Sequence, residues 1–300
     1  LTMLRWSRPT LPVAASLACL MGANRGIAMA QPRSTRTVPI SLKNKVVLIT
    51  GATAGIGESC AWRFAEEGAR LVLVGRRSER LKAIKYEIQA SYPSVDIHTV
   101  VLSVADIESV AKLPEQLPVA FRDVEVIVNN AGLALGVTPV EENDVLSAKT
   151  VMDTNVVGII AVCSAFLPGM KQRGSGHLIN MGSIAGTYGY SAGTVYCASK
   201  YAVKGFTEAA RHDLMGTPIR VTHISPGLVG NTEFSNVRLG DDKAKAPYAD
   251  IVALHPDDVA DNVFYAATRP AHVQVSEIMM FATNQAGPKD YARVGPSLGR

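Results

Sequence analysis

After Lys43 the apolar residues fall into short unbroken runs, and between the runs they recur every three or four positions. The runs are VVLIT (46–50), RLVLVG (70–75), IHTVVLSV (97–104), VEVIVNNAG (124–132), GHLINMGS (176–183), IRVTHISPG (219–227) and EIMMFAT (277–283). Runs without polar alternation are what strands covered on both faces require. The stretches between them, such as GIGESCAWRFAEEGA, SERLKAIKYEIQASY, VMDTNVVGIIAVCSAFLPGM and SKYAVKGFTEAARHDLMG, carry helical spacing. Strand and helix in alternation predict βαβ units, and hence an α/β domain over 41–300 built on a doubly wound parallel sheet of seven strands with helices on both faces. No repeat or low-complexity linker interrupts this pattern, which leaves one domain after residue 40.

Composition changes the picture in one place. The chain of 300 residues is 47% apolar and 19% charged, enough for a large core, and its net charge is +4. Of its 30 basic residues, five are arginines within residues 1–40, where there is no acid, so the remainder sets 25 bases against 26 acids. A body so nearly neutral offers no electrostatic footprint for nucleic acid. The arginine-rich, acid-free residues 1–40 form a separate N-terminal extension with three readings: an organelle transit peptide, which would make the protein mitochondrial; an untargeted tail or upstream translation artefact on a cytoplasmic enzyme; and a secretory signal, with Ala28-Met29-Ala30 as cleavage site. The uncharged run from Pro9 to Asn24 falls short of the roughly 20 residues that span a bilayer, so no membrane span is expected. Cys19, Cys60, Cys163 and Cys197 show no metal or redox spacing and read as reduced, and the six histidines are scattered, so no metal site is expected.

Two local patterns carry chemistry. The first strand runs into Thr50-Gly51-Ala52-Thr53-Ala54-Gly55-Ile56-Gly57 and then a helix. Glycines in a strand-to-helix turn bring the backbone against a pyrophosphate, whose charge the helix N-terminus favours, the arrangement of a Rossmann-like dinucleotide site; a plain tight turn is the other reading. A carboxylate ending the second strand would bind a ribose 2′-hydroxyl, but here stand Arg76 and Arg77, two cations where a 2′-phosphate would sit. The cofactor predicted is NADP, unless the arginines merely begin a solvated helix.

In TVYCASKYAVKGF (194–206), Tyr196 precedes Lys200 by one helical turn, so phenol and ammonium share a face. A protonated lysine beside a phenol favours the phenolate; bringing a tyrosine from pKa near 10 toward neutrality takes about 4 kcal/mol. Asn155 lies in an apolar helical stretch, where a buried amide must find partners.

Taken together, TGATAGIG, Asn129-Asn130-Ala131-Gly132, Asn155, Ser183, Tyr196 with Lys200, and Pro226-Gly227 resemble the short-chain dehydrogenase/reductase family over roughly residues 43–285. The resemblance implies a catalytic tetrad of Asn155, Ser183, Tyr196 and Lys200. Tyr196 would be the acid/base, Ser183 would hold the substrate oxygen, and Asn155 would position a water that leads protons from Lys200 to solvent. The coenzyme would lie against Gly51, Thr53, Gly55, Ile56, Arg76, Arg77, Val104, Asn130, Tyr196, Lys200, Pro226, Gly227, Val229 and Thr232, with Asn129 and Asn130 fixing the turn beneath the nicotinamide ribose. Where the family usually has Asp after the third strand this chain has Ser103, which leaves the backbone N–H of Val104 to meet the adenine.

The strings NNAGLALGV, MDTNVVG, LPGM, PGLVGNTEFSNVR and FATNQAGP are similar to those of NADP-dependent 3-hydroxy acid dehydrogenases. That implies hydride transfer between NADP(H) and serine, L-allo-threonine, 3-hydroxypropanoate or their carbonyl counterparts, in a homotetramer. A substrate carboxylate needs a cation, for which Arg238 is the candidate, a surface arginine being the other reading. Gly186 and Tyr188 are candidates for the pocket wall. Two alternatives stay open: a reductase for steroid, sugar or aliphatic ketones, and a non-catalytic nucleotide-binding scaffold.

Overall fold

The first strand, β1 (Val46–Thr50), is buried along its whole length, which is possible only between two covering layers. In the computed structural model, which describes residues 39–242, 244 and 248–293, β1 is joined by β2 (Arg70–Gly75), β3 (Ile97–Val101), β4 (Val124–Asn129), β5 (Gly176–Met181), β6 (Ile219–Pro226) and β7 (Glu277–Met280). Residues 1–38, and with them the three leader readings and Cys19, lie outside the described residues. All neighbours pair in parallel in the order β3-β2-β1-β4-β5-β6-β7, so the chain reverses its winding between β1 and β4. A crevice opens at the carboxyl ends of the strands at such a reversal.

The helices supply the two covers. On one face α1 (Gly55–Glu66), α2 (Ser78–Ser91) and α8 (Pro256–Ala267) bury Phe64, Ile84 and Val263 against Ile49 and Leu71. On the other, α3 (Ile107–Gln116), α5 (Gly158–Arg173) and α6 (Thr194–Asp213) bury Val110, Phe166 and Val203 against Leu48 and Leu178. Two short helices, α4 (Val145–Met152) and α7 (Phe234–Leu239), frame the crevice. Cys60, Cys163 and Cys197 are free and buried.

Five predicted strands end too late. β3 stops at Val101 rather than Val104, β4 at Asn129 rather than Gly132, β5 at Met181 rather than Ser183, β6 at Pro226 rather than Gly227, and β7 at Met280 rather than Thr283. The surplus residues of β3 to β6 leave the sheet to wall the crevice, where small and apolar residues are equally suited. The helix predicted over 151–170 is longer and interrupted: α4 passes through a wide turn, Asp153–Val157, with π-helical bonding, and into α5. Such wide turns occur often at functional sites, and Asn155 is inside this one. The continuous stretch Val145–Arg173 is long and apolar enough, by length and composition, to cross a membrane, where no membrane span was expected; Val162 and Phe166 on its inner side are buried in the core, while Val145 and Leu146 are exposed.

Candidate active site

A cavity of about 800 Å³ occupies the crevice and reaches from the glycine turn to Tyr196 and on to α7. The turn is built by exclusion. Gly51 has φ +65°, and a Cβ there would stand 2.8 Å from the Cα of Ala131; a Cβ on Gly57 would collide with the Gly51 carbonyl. Asn130 locks the arrangement, its Nδ2 donating to the carbonyls of Thr50 and Gly51 at 3.0 and 3.2 Å, while Thr50 Oγ1 accepts from the Asn130 and Ala131 N–H groups. α1 begins with no side-chain cap, so its first N–H groups remain available at the cavity, the condition for binding an anion there. Asn130 therefore fixes the turn as expected. Asn129 does not: it donates to Asn180 at 2.9 Å within the sheet and is buried away from the turn.

Arg76 and Arg77 both line the cavity. Both are exposed; Arg77 is held by Thr53 Oγ1 at 2.9 Å and pairs with Glu233 at 2.8 Å. Val104 lines the same end, next to Ser103. Pro226, Gly227, Val229 and Thr232 form the opposite wall, and Thr232 Oγ1 is buried without a protein partner among the described residues. A buried hydroxyl without a partner is costly unless a ligand meets it. Thr232, the uncapped helix start and the two arginines together fit a phosphorylated dinucleotide.

The tetrad residues come from three elements. Ser183 follows β5, Tyr196 and Lys200 stand on the first turns of α6, and Asn155 is in the wide turn. Lys200 is buried and donates from Nζ to the Met181 carbonyl at 2.9 Å, and its Nζ lies 5.8 Å from the centre of the Tyr196 ring. Burial lowers the ammonium's pKa to about 8. The phenol departs from expectation. Burial pushes the Tyr196 pKa up, with Tyr190 adding to the rise, and only the Ser183 hydrogen bond and the Arg238 charge pull it down. Lys200 is not among the groups that pull it down, so without further positive charge the phenol is held above its ordinary value.

The Asn155 side chain is committed to structure: Nδ2 donates to the Leu133 carbonyl at 2.8 Å and to Ser199 Oγ at 3.0 Å, and Oδ1 accepts from the Leu133 N–H at 2.8 Å. A Cβ built on Gly132 would lie 3.3 Å from Asn155 Oδ1 and 3.7 Å from Lys200 Nζ. Gly132 thus keeps open the space between amide and ammonium through which a water could serve both.

Arg238, on α7, projects into the cavity from the far side. Its guanidinium lies 5.5 Å from the centre of the Tyr196 ring and donates to Tyr190 Oη at 2.8 Å and to the carbonyls of Gly136 and Ala192. Gly186 and Tyr188 are not in the cavity wall. A Cβ on Gly186 would strike the Lys200 carbonyl, and Tyr188 packs on Phe281 with 45% of its surface exposed. Their places are taken by Tyr190, Phe234, edge-on to Tyr196 at 5.5 Å, and Lys289. No local pattern marks these three.

A doubly wound sheet with an uncapped glycine turn at its switch point, and a tyrosine and lysine one helical turn apart across the cavity, define a dinucleotide-dependent oxidoreductase site. The family model for short chain dehydrogenases matches residues 45–242, and the chain belongs to that family. It is 45% identical over 243 residues to an NADP-dependent 3-hydroxy acid dehydrogenase of Salmonella typhi, covering 80% of this chain and 96% of that one. It is also 45% identical over 244 residues to sulfoacetaldehyde reductase 2 of Chromohalobacter salexigens, covering 80% and 95%. Among solved structures, the closed form of a serine dehydrogenase complexed with NADP+ superposes with a TM-score of 0.77 at 42% identity, covering 85% of this chain and 99% of that chain.

Proposed function

We propose that this enzyme transfers a hydride between NADP(H) and a small 3-hydroxy acid or its carbonyl counterpart. The observation that carries the reading is Arg238, a cation held 5.5 Å from the ring of the proposed acid/base by Tyr190 and two carbonyls. A hydroxyl at Tyr196 and a carboxylate at Arg238 fit one small molecule that carries both groups. The relatives named above support the same chemistry.

The coenzyme, when bound, supplies the hydride acceptor and a cationic ring. The chain does the rest. Gly51, Thr53, Gly55, Ile56 and the start of α1 would hold the pyrophosphate, Arg76 and Arg77 the 2′-phosphate, and Asn130, Pro226, Gly227, Val229 and Thr232 the nicotinamide half. Ser183 would hold the substrate oxygen beside Tyr196, which takes the hydroxyl proton during oxidation. Lys200 receives that proton, and the space at Gly132 leads it past Asn155 toward solvent. For Gly132→Ala, in which the new methyl fills this space, kcat is expected to fall at least about twofold with KM for substrate little changed, measured in steady-state oxidation.

With Lys200 at about 8, its proton is lost as pH rises through that value. Reduction consumes a proton, so its kcat should decline above about pH 8 while oxidation gains over the same range; parallel pH–rate profiles in the two directions check the sign. Arg76→Ala should raise KM for NADP about tenfold to a hundredfold, the loss of one charge-assisted hydrogen bond, and leave KM for NAD within about twofold.

A panel of serine, L-allo-threonine, 3-hydroxypropanoate, sulfoacetaldehyde and neutral ketones, run with NADP and with NAD, tests the assignment. Turnover of hydroxy acids with NADP supports it. Preference for neutral ketones favours the broader reductase, and no turnover favours a scaffold.

We further propose a homotetramer. Val145, Leu146, Val157 and Ile160 leave an exposed apolar strip on the helix from α4 to α5, 76%, 75%, 38% and 40% exposed respectively, suited to partner helices. Light scattering should give the mass of four chains; a monomer contradicts it.

A further inference from the structure

His223, in the middle of β6, is 2% exposed, and neither ring nitrogen has a hydrogen-bond partner among the described residues. An imidazole so placed is a poor core residue, since a buried polar group without a partner costs stability that an apolar side chain would not. Its surroundings suggest what it is for. The ring Nε2 lies against Gly182, so closely that a Cβ there would collide with it. The carbonyl preceding Gly182, that of Met181, is the one that accepts from Lys200 Nζ. His223 and Lys200 therefore stand at the two ends of a single peptide unit.

The other groups around it form a path outward. Along the sheet-facing side of α6, Lys200, Lys204, Thr207 and Arg211 follow at helical spacing, and the charges of Lys200, Lys204 and Arg211 all act on the imidazole. From the sheet, Glu277 of β7 pairs in register with His223. Asn180, its register partner on β5, is already bonded to Asn129 and Thr207. Glu277 accepts from Ser225 Oγ at 3.1 Å and meets Lys204 Nζ at 3.5 Å, and the side chains of Lys204 and Glu277 are 24% and 29% exposed. The row from Lys200 through His223 to Glu277 thus begins at the catalytic ammonium and ends at solvent.

Building on the hydride-transfer reading above, we propose that His223 provides a second proton exit from Lys200, through the sheet to Glu277, separate from the space at Gly132. In oxidation, the Lys200 ammonium gives a proton over one water to Nε2 of His223, as the Nδ1–H proton passes over a second water to the Glu277 carboxylate and then to solvent. One N–H bond breaks and one forms at each transfer, and no electrons are exchanged. In reduction the same steps run inward. His223 touches neither substrate nor coenzyme and is a positioning residue.

The basicities permit this. Burial, with the three nearby cations, brings the imidazole down to about 4 against the pull of Glu277, and Lys200 stands at about 8. A proton would sit on His223 in about one molecule in ten thousand. Against an attempt frequency of about 6 × 10¹² per second, that still allows on the order of 10⁸ transfers per second, far above a typical turnover of about 10 per second.

The test is stopped-flow oxidation of 3-hydroxypropanoate with NADP, following nicotinamide absorbance in H₂O and D₂O, for wild type, His223→Gln and Glu277→Gln. Glutamine keeps polarity at position 223 but cannot carry the proton. Both variants should retain a first-turnover burst at the wild-type rate, then turn over about twofold more slowly, as expected when one of two parallel exits is closed, with unchanged KM and a larger solvent isotope effect. Burst and steady state falling together would assign His223 a structural role, and wild-type behaviour in folded Glu277→Gln would equally overturn the exit. If His223→Gln does not fold, Glu277→Gln decides alone, since that side chain is partly exposed. A wild type that does not turn over the substrate would instead overturn the hydride-transfer reading itself.

Discussion

Tyr196→Phe is expected to lower kcat for oxidation at least a thousandfold while leaving NADP affinity within about threefold. The substitution removes one oxygen from a ring at the cavity wall that also packs edge-on against Phe234, so the fold and the cavity should survive it. What is lost is the only phenol that shares a helical face with Lys200 in the cavity wall. General acid–base catalysis contributes about 10²–10⁴ in rate, and here it acts on the proton that must leave as the hydride does. Dinucleotide affinity by fluorescence and kcat from initial rates measure the two quantities separately. A variant that keeps a tenth of the wild-type rate would remove Tyr196 from the chemistry.

Arg238→Met should reduce kcat/KM for 3-hydroxypropanoate about a hundredfold and change that for a neutral alcohol by less than about threefold. A charge-assisted hydrogen bond is worth about 1.5–3 kcal/mol, or roughly one to two decades, and a bidentate pair reaches the upper end. Methionine preserves much of the apolar volume beside Tyr190 and Tyr196. Arg238 also helps hold the Tyr196 pKa down against burial, so a smaller loss in kcat at fixed pH should accompany the loss in KM, and raising the pH should recover part of it. Equal losses on acids and neutral alcohols would show that Arg238 serves the fold, through Gly136 and Ala192, rather than the substrate.

The sheet was readable because its strands are buried on both faces, which forces unbroken runs such as VVLIT and RLVLVG. The same reasoning overran the strand ends: at Leu102, Ala131 and Gly182 the chain has left the sheet, but apolar and small residues continue because they line a cavity. Tyr196 and Lys200 were legible as a pair because helical spacing binds them, and Ser183 and Asn155 as candidates by their place after a strand and in an apolar helix. Glu233 against Arg77, Tyr190 under Arg238, and His223 between Lys200 and Glu277 were not, because each pair meets only through the winding of the sheet. Burial acts in the same non-local way. Spacing alone places an ammonium beside a phenol, but it does not reveal that the ammonium is buried and the phenol half-buried, and burial opposes the downward shift expected of the tyrosine.

With burial holding the Tyr196 pKa up in the protein by itself, the proposed mechanism requires the cationic ring of oxidised coenzyme to supply the missing charge. Ultraviolet difference titration of the phenolate, with Tyr196→Phe as the blank, measures this directly. Without NADP, no ionisation belonging to Tyr196 should appear below about pH 10, and with NADP bound it should appear near neutrality. An identical midpoint in both states would contradict the account.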